Sequence, residues 1–185
     1  YDKHKNYSSY FWVDYNNMKM TALKGKKAII TGGGRGLGKA VALALAAKGV
    51  HVGVTGQNEQ KLQSTVEELR GYGVEAYYAV FNVADNAQVE NGIKELAEGL
   101  GGVQILVNNA GVGQFGKGMD MVPEDFQKVF DINFFGVYNV ARAVYPYLKT
   151  AGQGDIINVA STAGLKGGAG MAAYTASHAP LISLP

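Results

Sequence analysis

The sequence contains no cysteine, and its 185 residues include only four prolines and one tryptophan. Without cysteine the chain forms neither a disulfide framework nor a thiolate metal site, which suits the reducing cytosol. Charged residues make up 17% of the chain and the net charge is +2, with the basic residues scattered. We therefore expect no nucleic-acid or membrane surface, and no apolar run is long enough to span a bilayer. These absences favour a cytoplasmic protein that acts on a small molecule and holds no metal.

The first nineteen residues differ from the rest of the chain. Residues 1–19 mix aromatic and polar side chains without helical or alternating periodicity. We interpret them as a tag or a disordered segment, and an aromatic interaction segment is the alternative. Residues 20–185 are long enough to form one domain with a substantial core.

Glycine is abundant, and the most informative glycines lie in residues 27–49. This stretch reads as a buried strand, the turn T-G-G-G-R-G-L-G at residues 31–38, and an alanine-rich helix. Such a turn leaves unpaired N–H groups at the positive end of the helix, where a phosphate can bind. Glycine lets a pyrophosphate approach the backbone and permits positive φ. A tight turn without a ligand gives the same letters, but the position at the start of a βαβ unit favours nucleotide binding.

Strand and helix patterns alternate over the rest of the domain. Further strands are predicted at residues 50–55, 74–81, 103–107 and 155–160. Helices are predicted at residues 59–70, 87–100 and 123–149, the last with a break near Asn133. Apolar strands separated by helices predict a parallel sheet covered on both faces. With right-handed crossovers, this is the doubly wound α/β arrangement of a Rossmann fold, with ligands at the carboxyl ends of the strands.

The end of the second strand bears on the choice between NAD and NADP. An acidic residue there would bind the ribose 2′-hydroxyl and repel a 2′-phosphate. Gln57 and Asn58 occupy this position, and the first acidic residue after the strand is Glu59. Arg35 lies within the glycine turn. A guanidinium there can pair with a phosphate, although a solvated surface arginine is the alternative. The absent acid and the present base together favour NADP over NAD.

Several ordered motifs resemble those of the short-chain dehydrogenase/reductase family. The turn at residues 31–38 is similar to the family's T-G-x-x-x-G-x-G, and N-N-A-G recurs at residues 108–111. Asn133, Ser161 and Tyr174 stand where the family has its catalytic asparagine, serine and tyrosine. The resemblance covers about residues 23–177. Within the family it is strongest to the bacterial 3-oxoacyl-[acyl-carrier-protein] reductases of fatty acid biosynthesis and to related ketoreductases.

The glycine turn and the resemblance together give a set of candidate cofactor-binding residues. The set comprises Gly32, Gly34, Arg35, Gly36, Leu37, Gln57, Asn82, Val83, Asn109, Ala110, Gly111 and Tyr174. Asn82 stands where the family usually has an aspartate beside the adenine, and an amide retains one hydrogen bond there. The main alternative for residues 109–111 is a tight strand-to-loop turn, which is compatible with cofactor binding.

The proposed chemistry needs two hydrogen-bond donors at one oxygen. A ketone that accepts hydride develops negative charge on its oxygen, so it needs a proton donor, Tyr174, and a fixed donor, Ser161. By resemblance, Asn133 holds a water that relays protons. A free phenol titrates near pH 10, so a donor that works near neutrality must be made more acidic by about three pKa units, or about 4 kcal/mol. Taken singly, each residue also has a structural explanation as a turn cap, a packing residue or a partner for buried backbone groups.

The chain departs from the family at the residue that would make the phenol acidic. The family has a lysine four residues after the tyrosine, on the same helical face, which also binds the nicotinamide ribose. Here His178 stands at that position, and histidine is largely neutral at pH 7. Either histidine replaces the lysine, or one residue is missing from a Ser-Lys-His-Ala motif. Pro180 and Pro185 suit a helix poorly and favour the second account.

The resemblance also bears on the extent and assembly of the protein. Family members continue through further helices and strands, so we expect an incomplete form that stops after the fifth strand and the start of the next helix. By resemblance, the long helix packs against its mate in a homodimer or homotetramer, although a wide core-facing stripe gives the same apolar pattern. The apolar residues of that helix are Phe126, Phe130, Phe134, Val137 and Val144.

The leading hypothesis is an NADP-dependent oxidoreductase that reduces a ketone, such as a 3-oxoacyl thioester, to an alcohol. One alternative is a protein that binds the cofactor without turnover, because the active-site lysine is absent. The other is a dehydrogenase of a small alcohol or sugar.

Overall fold

The computed structural model describes residues 23–114, 116 and 118–184. The predicted tag at residues 1–19 lies outside the described residues, as do residues 20–22.

Five strands alternate with helices along the described part of the chain. The strands are β1 (Lys27–Thr31), β2 (His51–Gly56), β3 (Ala76–Val80), β4 (Ile105–Asn108) and β5 (Asp155–Asn158). The α-helices are α1 (Gly36–Ala46), α2 (Glu59–Arg70), α3 (Asn86–Leu100), α4 (Pro123–Phe130), α5 (Gly136–Thr150) and α6 (Ala172–His178). Short 3₁₀ turns cover Gly118–Asp120, Thr162–Gly164 and Ala179–Ile182. The strands and helices whose limits the sequence predicts are confirmed, with ends that shift by at most two residues.

The strands form one parallel sheet in the order β3-β2-β1-β4-β5. Central β1 pairs with β2 on one side and β4 on the other, so that Ile29 lies between Gly53 and Leu106. The chain winds outward from β1 to β3 and then returns to the other side of β1. This reversal places the topological switch point between β1 and β4, where doubly wound folds bind their ligands. The predicted α/β fold class is confirmed.

Alternate residues of β1 face two separate cores. Ile29 belongs to a cluster with residues of α3 and α5, such as Leu96 and Val144. Ala28 and Ile30 face the opposite side, where residues of α1 and α2 pack. Both faces of the central sheet are therefore covered, which explains why its strands are apolar throughout instead of alternating.

The predicted break near Asn133 is a turn of π-helix. Asp131–Phe135 has π-helical hydrogen bonding and joins α4 to α5. The flanking residues Phe130 and Gly136 keep right-handed helical backbone angles. Such insertions occur frequently at functional sites because they re-aim a side chain within a continuous helix. Here the turn carries a candidate catalytic residue.

The predicted apolar residues of this helical region divide into two groups. Val137 and Val144 are buried in the core, whereas Phe126, Phe130 and Phe134 are half-buried. The large apolar side chains that are exposed between α4 and the end of α5 are Phe135, Tyr138 and Tyr145.

Strand β5 forms one edge of the sheet in the described part. It pairs with β4 alone, and Ile156 and Ile157 are exposed on it. Such an edge is a site where another strand can add.

Candidate active site and cofactor cleft

A cleft of about 560 Å³ opens at the carboxyl ends of the central strands. Its walls come from the glycine turn, the end of β2 and the loop that follows β4. Ten of the twelve predicted cofactor residues line it: Gly32, Gly34, Arg35, Gly36, Leu37, Gln57, Val83, Asn109, Ala110 and Gly111. Asn82 and Tyr174 are not among the lining residues of this cleft as the described chain forms it.

The glycines of the turn differ in what surrounds them. A Cβ on Gly33 would lie 2.6 Å from Val54 Cγ1, and one on Gly38 would collide with the Asn109 side chain and the Gly32 carbonyl. Gly36 has φ +54, and a Cβ there would meet nothing within 4 Å. Gly33 and Gly38 thus permit close packing behind the turn, whereas Gly36 leaves open space at the cleft.

The start of α1 lacks the side-chain caps that the neighbouring helices have. Asn58 and Asp85 accept hydrogen bonds from backbone N–H groups at the starts of α2 and α3. Arg35, at the corresponding position of α1, is extended and makes no such bond, and no acidic residue lies in the first turn. The first N–H groups of this helix therefore have no side-chain acceptor. They remain open to a phosphate, which the positive end of the helix dipole would also attract.

Thr31 and Asn109 connect the glycine turn to the loop after β4. Thr31 Oγ1 accepts hydrogen bonds from the backbone N–H groups of Asn109 and Ala110, both at 2.9 Å. Asn109 Nδ2 donates to the Thr31 carbonyl at 3.0 Å. The two motifs recognised in the sequence therefore build one rigid wall of the cleft.

Asn82 uses its side chain locally. Its Oδ1 accepts a hydrogen bond from Ala84 N at 3.1 Å, and its backbone N–H donates to Gln88 Oε1 at 3.1 Å. The amide closes the turn between β3 and α3. The structure therefore brings the neighbouring Val83 to the cleft, but not Asn82.

Asn133 is 1% exposed and bonded through both of its amide hydrogens. Its Oδ1 accepts from Val112 N at 2.8 Å, and its Nδ2 donates to Val112 O at 3.0 Å and to Ser177 Oγ at 3.0 Å. A carbonyl oxygen has two lone pairs, so one acceptor position on Oδ1 is left for a water. The geometry gives Asn133 a positioning role. A water that contacts its side-chain amide would have to donate a hydrogen bond to Oδ1, because both amide hydrogens are already used.

Ser177 links Asn133 to the helix that carries Tyr174, and the sequence analysis did not single it out. It is fully buried, accepts from Asn133 Nδ2, and its Oγ donates to the Tyr174 carbonyl at 3.0 Å. The available signal was its place three residues after Tyr174 on a helix, where a small hydroxyl can bond back to a carbonyl.

Tyr174 and His178 pack ring against ring. Their centroids lie 4.2 Å apart with an interplanar angle of 38°, as residues four apart on one helical face can. His178 is 7% exposed, and its Nδ1 lies 2.9 Å from the Tyr174 carbonyl. Since a carbonyl can only accept, Nδ1 carries the hydrogen of this bond. The histidine is therefore a buried partner of the tyrosine helix.

The turn after Ser161 packs against the end of the same helix. Ser161 Oγ accepts from Ala163 N at 3.1 Å, and its hydroxyl hydrogen is still able to donate elsewhere. A Cβ on Gly164 would lie 2.9 Å from the His178 carbonyl, which shows how closely the turn meets α6. The elements that carry Asn133, Ser161 and Tyr174 thus converge, although neither Ser161, Tyr174 nor His178 lines the 560 Å³ cleft.

Two further cleft residues were missed by sequence reasoning. Thr55 lines the cleft at the end of β2, and its buried Oγ1 has no hydrogen-bond partner among the described residues. Lys61 lines it from the first turn of α2. Neither belongs to a recognisable motif, and only the packing of α2 beside the glycine turn brings Lys61 there.

The match to a family model decides the family. The model described as short chain dehydrogenase matches residues 26–184. The chain belongs to this family. The protein is therefore an oxidoreductase, and its family binds a nicotinamide cofactor. Membership also explains why the glycine turn, the N-N-A-G loop and the catalytic candidates occur together in one chain.

The short chain dehydrogenases that resemble this chain include curated bacterial reductases. The 3-oxoacyl-[acyl-carrier-protein] reductase FabG of Staphylococcus aureus is 37% identical over 168 residues, covering 90% of this chain and 67% of the relative. The 3-oxoacyl-[acyl-carrier-protein] reductase of Synechocystis is 39% identical over 164 residues, with coverages of 88% and 66%. The chain therefore spans about two thirds of the length of the curated relatives it matches.

Solved structures of short chain dehydrogenases share the fold. An NAD⁺-bound xylitol dehydrogenase superposes with a TM-score of 0.84 and 34% identity, covering 88% of this chain and 63% of the other. A putative short-chain alcohol dehydrogenase from Sinorhizobium meliloti gives a TM-score of 0.85 and 31% identity, with coverages of 89% and 65%.

Two features are absent from the described residues. None of the helices there has the length and apolar character needed to cross a membrane. Nor do three or more histidine or acidic side chains gather there in a group that could hold a metal ion.

Proposed function

We propose that this short chain dehydrogenase uses NADPH to reduce a ketone, such as a 3-oxoacyl thioester, to an alcohol. The observation that supports the proposal is the contact between the elements that carry Asn133, Ser161 and Tyr174, which meet near a cleft at the switch point of the sheet. The reductase relatives support the substrate class, because they are named for the 3-oxoacyl group.

The residues present fit the nicotinamide cofactor. The uncapped start of α1 offers N–H groups to a diphosphate, and Gly36 leaves space where a side chain would stand. The unpartnered hydroxyl of Thr55 lies at the end of β2, where the adenosine half of a dinucleotide binds in this fold. When bound, the nicotinamide supplies the hydride that the carbonyl carbon accepts.

The chain's own residues act at the carbonyl oxygen. The hydroxyl of Ser161 donates a hydrogen bond to it, because only its acceptor side is used within the turn. The phenol of Tyr174 transfers its proton to the same oxygen as negative charge develops there. Asn133 keeps the loop after β4 and the helix of Tyr174 in register through Val112 and Ser177.

NADP is the preferred coenzyme in this proposal. Among the described residues no carboxylate lines the cleft, whereas Arg35 does, so a 2′-phosphate would be attracted and not repelled. A dehydrogenase of a small polyol that uses NAD is the second candidate. It is favoured by the structural likeness to the NAD⁺-bound xylitol dehydrogenase.

Assembly and location are part of the same proposal. A homodimer or homotetramer would cover the exposed Phe135, Tyr138 and Tyr145. The reductase relatives support a small-molecule or acyl-carrier-bound substrate, and a cytosolic location is the one that the sequence composition favours.

The experiment that tests the function follows the loss of NADPH absorbance with an acetoacetyl thioester, and separately the reduction of NAD⁺ with xylitol. We expect turnover in the first assay, and Tyr174→Phe lowers it about a hundredfold or more while NADPH still binds. Tyr72→Phe, at an exposed tyrosine beyond the end of α2, is the matched control and leaves the rate unchanged. Turnover with xylitol alone would favour the second candidate, and simultaneous loss of binding and turnover in Tyr174→Phe would refute the assigned role.

A further inference from the structure

Ser177 is completely buried where α6 meets the π-helical turn. Its relative exposure is 0%, and its Oγ accepts a hydrogen bond of 3.0 Å from Nδ2 of Asn133, which is itself 1% exposed. The two residues lie 44 positions apart in the chain. Water does not reach this site, so it cannot easily replace either partner when the other is removed. The bond therefore ties α6 to the turn that carries Asn133.

The donor and the acceptor of each bond in this group are determined. Val112 N donates to Asn133 Oδ1, so Nδ2 is the amide atom that faces Ser177. Ser177 Oγ accepts from that amide and donates its one hydrogen to the Tyr174 carbonyl at 3.0 Å. The hydroxyl thus serves both as acceptor and as donor, and an alanine could form neither bond.

These bonds connect the cleft to the backbone of Tyr174. Val112 lines the 560 Å³ cleft, and Asn133 bonds to both its N–H and its carbonyl. Ser177 continues the connection from Asn133 to the Tyr174 carbonyl. Two buried side chains therefore relate the backbone of Tyr174 to the wall of the cleft.

Helix α6 needs such a contact because it is short. It has seven residues, and Met171 at its start provides no side-chain cap. A helix of this length is not stable alone in water, so its position comes from tertiary contacts. The side chain of His178 bonds to the Tyr174 carbonyl and packs on the tyrosine ring, both within α6. A contact inside one helix moves with that helix and does not set its distance from the cleft.

We propose that Ser177 is a positioning residue for the reduction, which holds the phenol of Tyr174 in place relative to the cofactor cleft. The inference rests on the proposed function, since that function assigns the proton transfer to Tyr174. Ser177 is fully buried, so it acts through the Tyr174 backbone and not on the substrate. A misplacement of about 1 Å from the reactive geometry can cost about a hundredfold in rate, so loss of the anchor lowers kcat more than it weakens binding.

Steady-state kinetics with NADPH and an acetoacetyl thioester test the role of the hydroxyl. We expect Ser177→Ala to lower kcat about ten- to hundredfold, while KM and the NADPH dissociation constant change by less than about threefold. Ser183→Ala is the matched control and leaves all three quantities unchanged. Ser183 Oγ also donates to a carbonyl three residues earlier, that of Pro180 at 3.3 Å, but Ser183 is exposed. A normal kcat in Ser177→Ala would overturn the proposal, as would a loss of NADPH binding as large as the loss in kcat.

A pair of isosteric variants separates the hydrogen bonds from packing. Ser177→Thr keeps the hydroxyl, whereas Ser177→Val has a methyl group in its place, and the two add nearly the same volume. We expect the threonine variant to turn over about tenfold faster than the valine variant, because only threonine can bond to Asn133 and to the Tyr174 carbonyl. Equal rates in the two would contradict the assigned role.

Hydrogen exchange of residues 173–178 tests the anchor without turnover. We expect these amides to exchange faster in Ser177→Ala than in the unmodified chain or in Ser183→Ala, because α6 then opens more easily. Unchanged exchange would overturn the proposal. Failure of the proposed function would look different: the unmodified chain would then reduce no acetoacetyl thioester, while its exchange still responded to Ser177→Ala.

Discussion

The side-chain amide of Asn133 bridges the backbone of Val112 with two hydrogen bonds of 2.8 and 3.0 Å. This bridge holds the loop after β4 against the π-helical turn between α4 and α5. Val112 lines the cofactor cleft, and the second amide hydrogen of Asn133 reaches Ser177 on the tyrosine helix. One buried amide thus joins the wall of the cleft to α6, the helix that carries Tyr174.

Replacement of Asn133 by alanine should lower the free energy of unfolding by about 2 kcal/mol or more. The substitution leaves the N–H and the carbonyl of the half-buried Val112 without their hydrogen-bond partners. Urea denaturation followed by circular dichroism measures the change. Asn139→Ala is the control, because its amide donates only to Val83 O at 3.2 Å, and we expect less than about 1 kcal/mol there. Equal losses in the two variants would contradict the bridging role.

Gly38→Ala should prevent NADPH binding and destabilise the fold by about 1–3 kcal/mol, the usual cost of overpacking. The added methyl group would collide with the Gly32 carbonyl and with the Asn109 side chain, which donates a hydrogen bond to the Thr31 carbonyl. Thermal denaturation and a fluorescence titration with NADPH measure both effects. At Gly167 a Cβ would come no closer than 3.9 Å to a neighbour, so Gly167→Ala should leave the melting temperature within a few degrees of that of the parent. A normal melting temperature in Gly38→Ala would show that the turn tolerates what the geometry forbids.

Arg35→Ala should weaken NADPH far more than NADH. The side chain lines the cleft and has no carboxylate partner in the described chain. Its removal therefore costs a charged contact to the 2′-phosphate, which only NADPH carries. We expect the affinity for NADPH to fall about tenfold or more at low salt. At high salt the fall should be smaller, because salt screens the exposed guanidinium. Titrations at two ionic strengths measure this effect. Equal weakening of both coenzymes would show that Arg35 interacts with the diphosphate alone.

His178→Lys should raise the rate of ketone reduction about tenfold or more at neutral pH, because an ammonium beside the phenol makes it a better proton donor. In the present chain the imidazole is bonded to the Tyr174 carbonyl and packs on the tyrosine ring. Steady-state kinetics with NADPH measures the gain. His178→Gln supplies no cation and should give none. A fully folded His178→Lys variant with an unchanged rate would show that the histidine already performs the lysine's task.

Much of the fold could be read from the residues because each pattern is local. The apolar run of β1, the glycine turn and the alanines of α1 follow one another in the chain and need no distant partner to be recognised. The π-helical turn was foreseen only as a break, since nothing in the local sequence distinguishes it from an ordinary kink. Asn133 on this turn bonds to Val112, which lies 21 residues earlier, and such a distant partner cannot be read from the local sequence.

The site divides in the same way. Most of the predicted cofactor residues line the cleft because their motifs end the strands of a parallel sheet, and those ends meet at one edge. Asn82 does not, because its amide closes a turn with Ala84. Lys61 and Thr55 could not be recognised in advance, since their importance comes from the approach of α2 and β2 to the glycine turn.

The sequence by itself determined the alternation of strand and helix, the glycine turn before α1 and the order of the catalytic candidates. These depend on residue type and spacing along the chain. Only the tertiary structure decided which charges face the cleft, that Glu59 is held by Tyr78, and that His178 is buried on the tyrosine helix. Charges and hydrogen bonds act through space, so their partners are fixed only when elements as far apart as Thr31 and Ala110 come into contact.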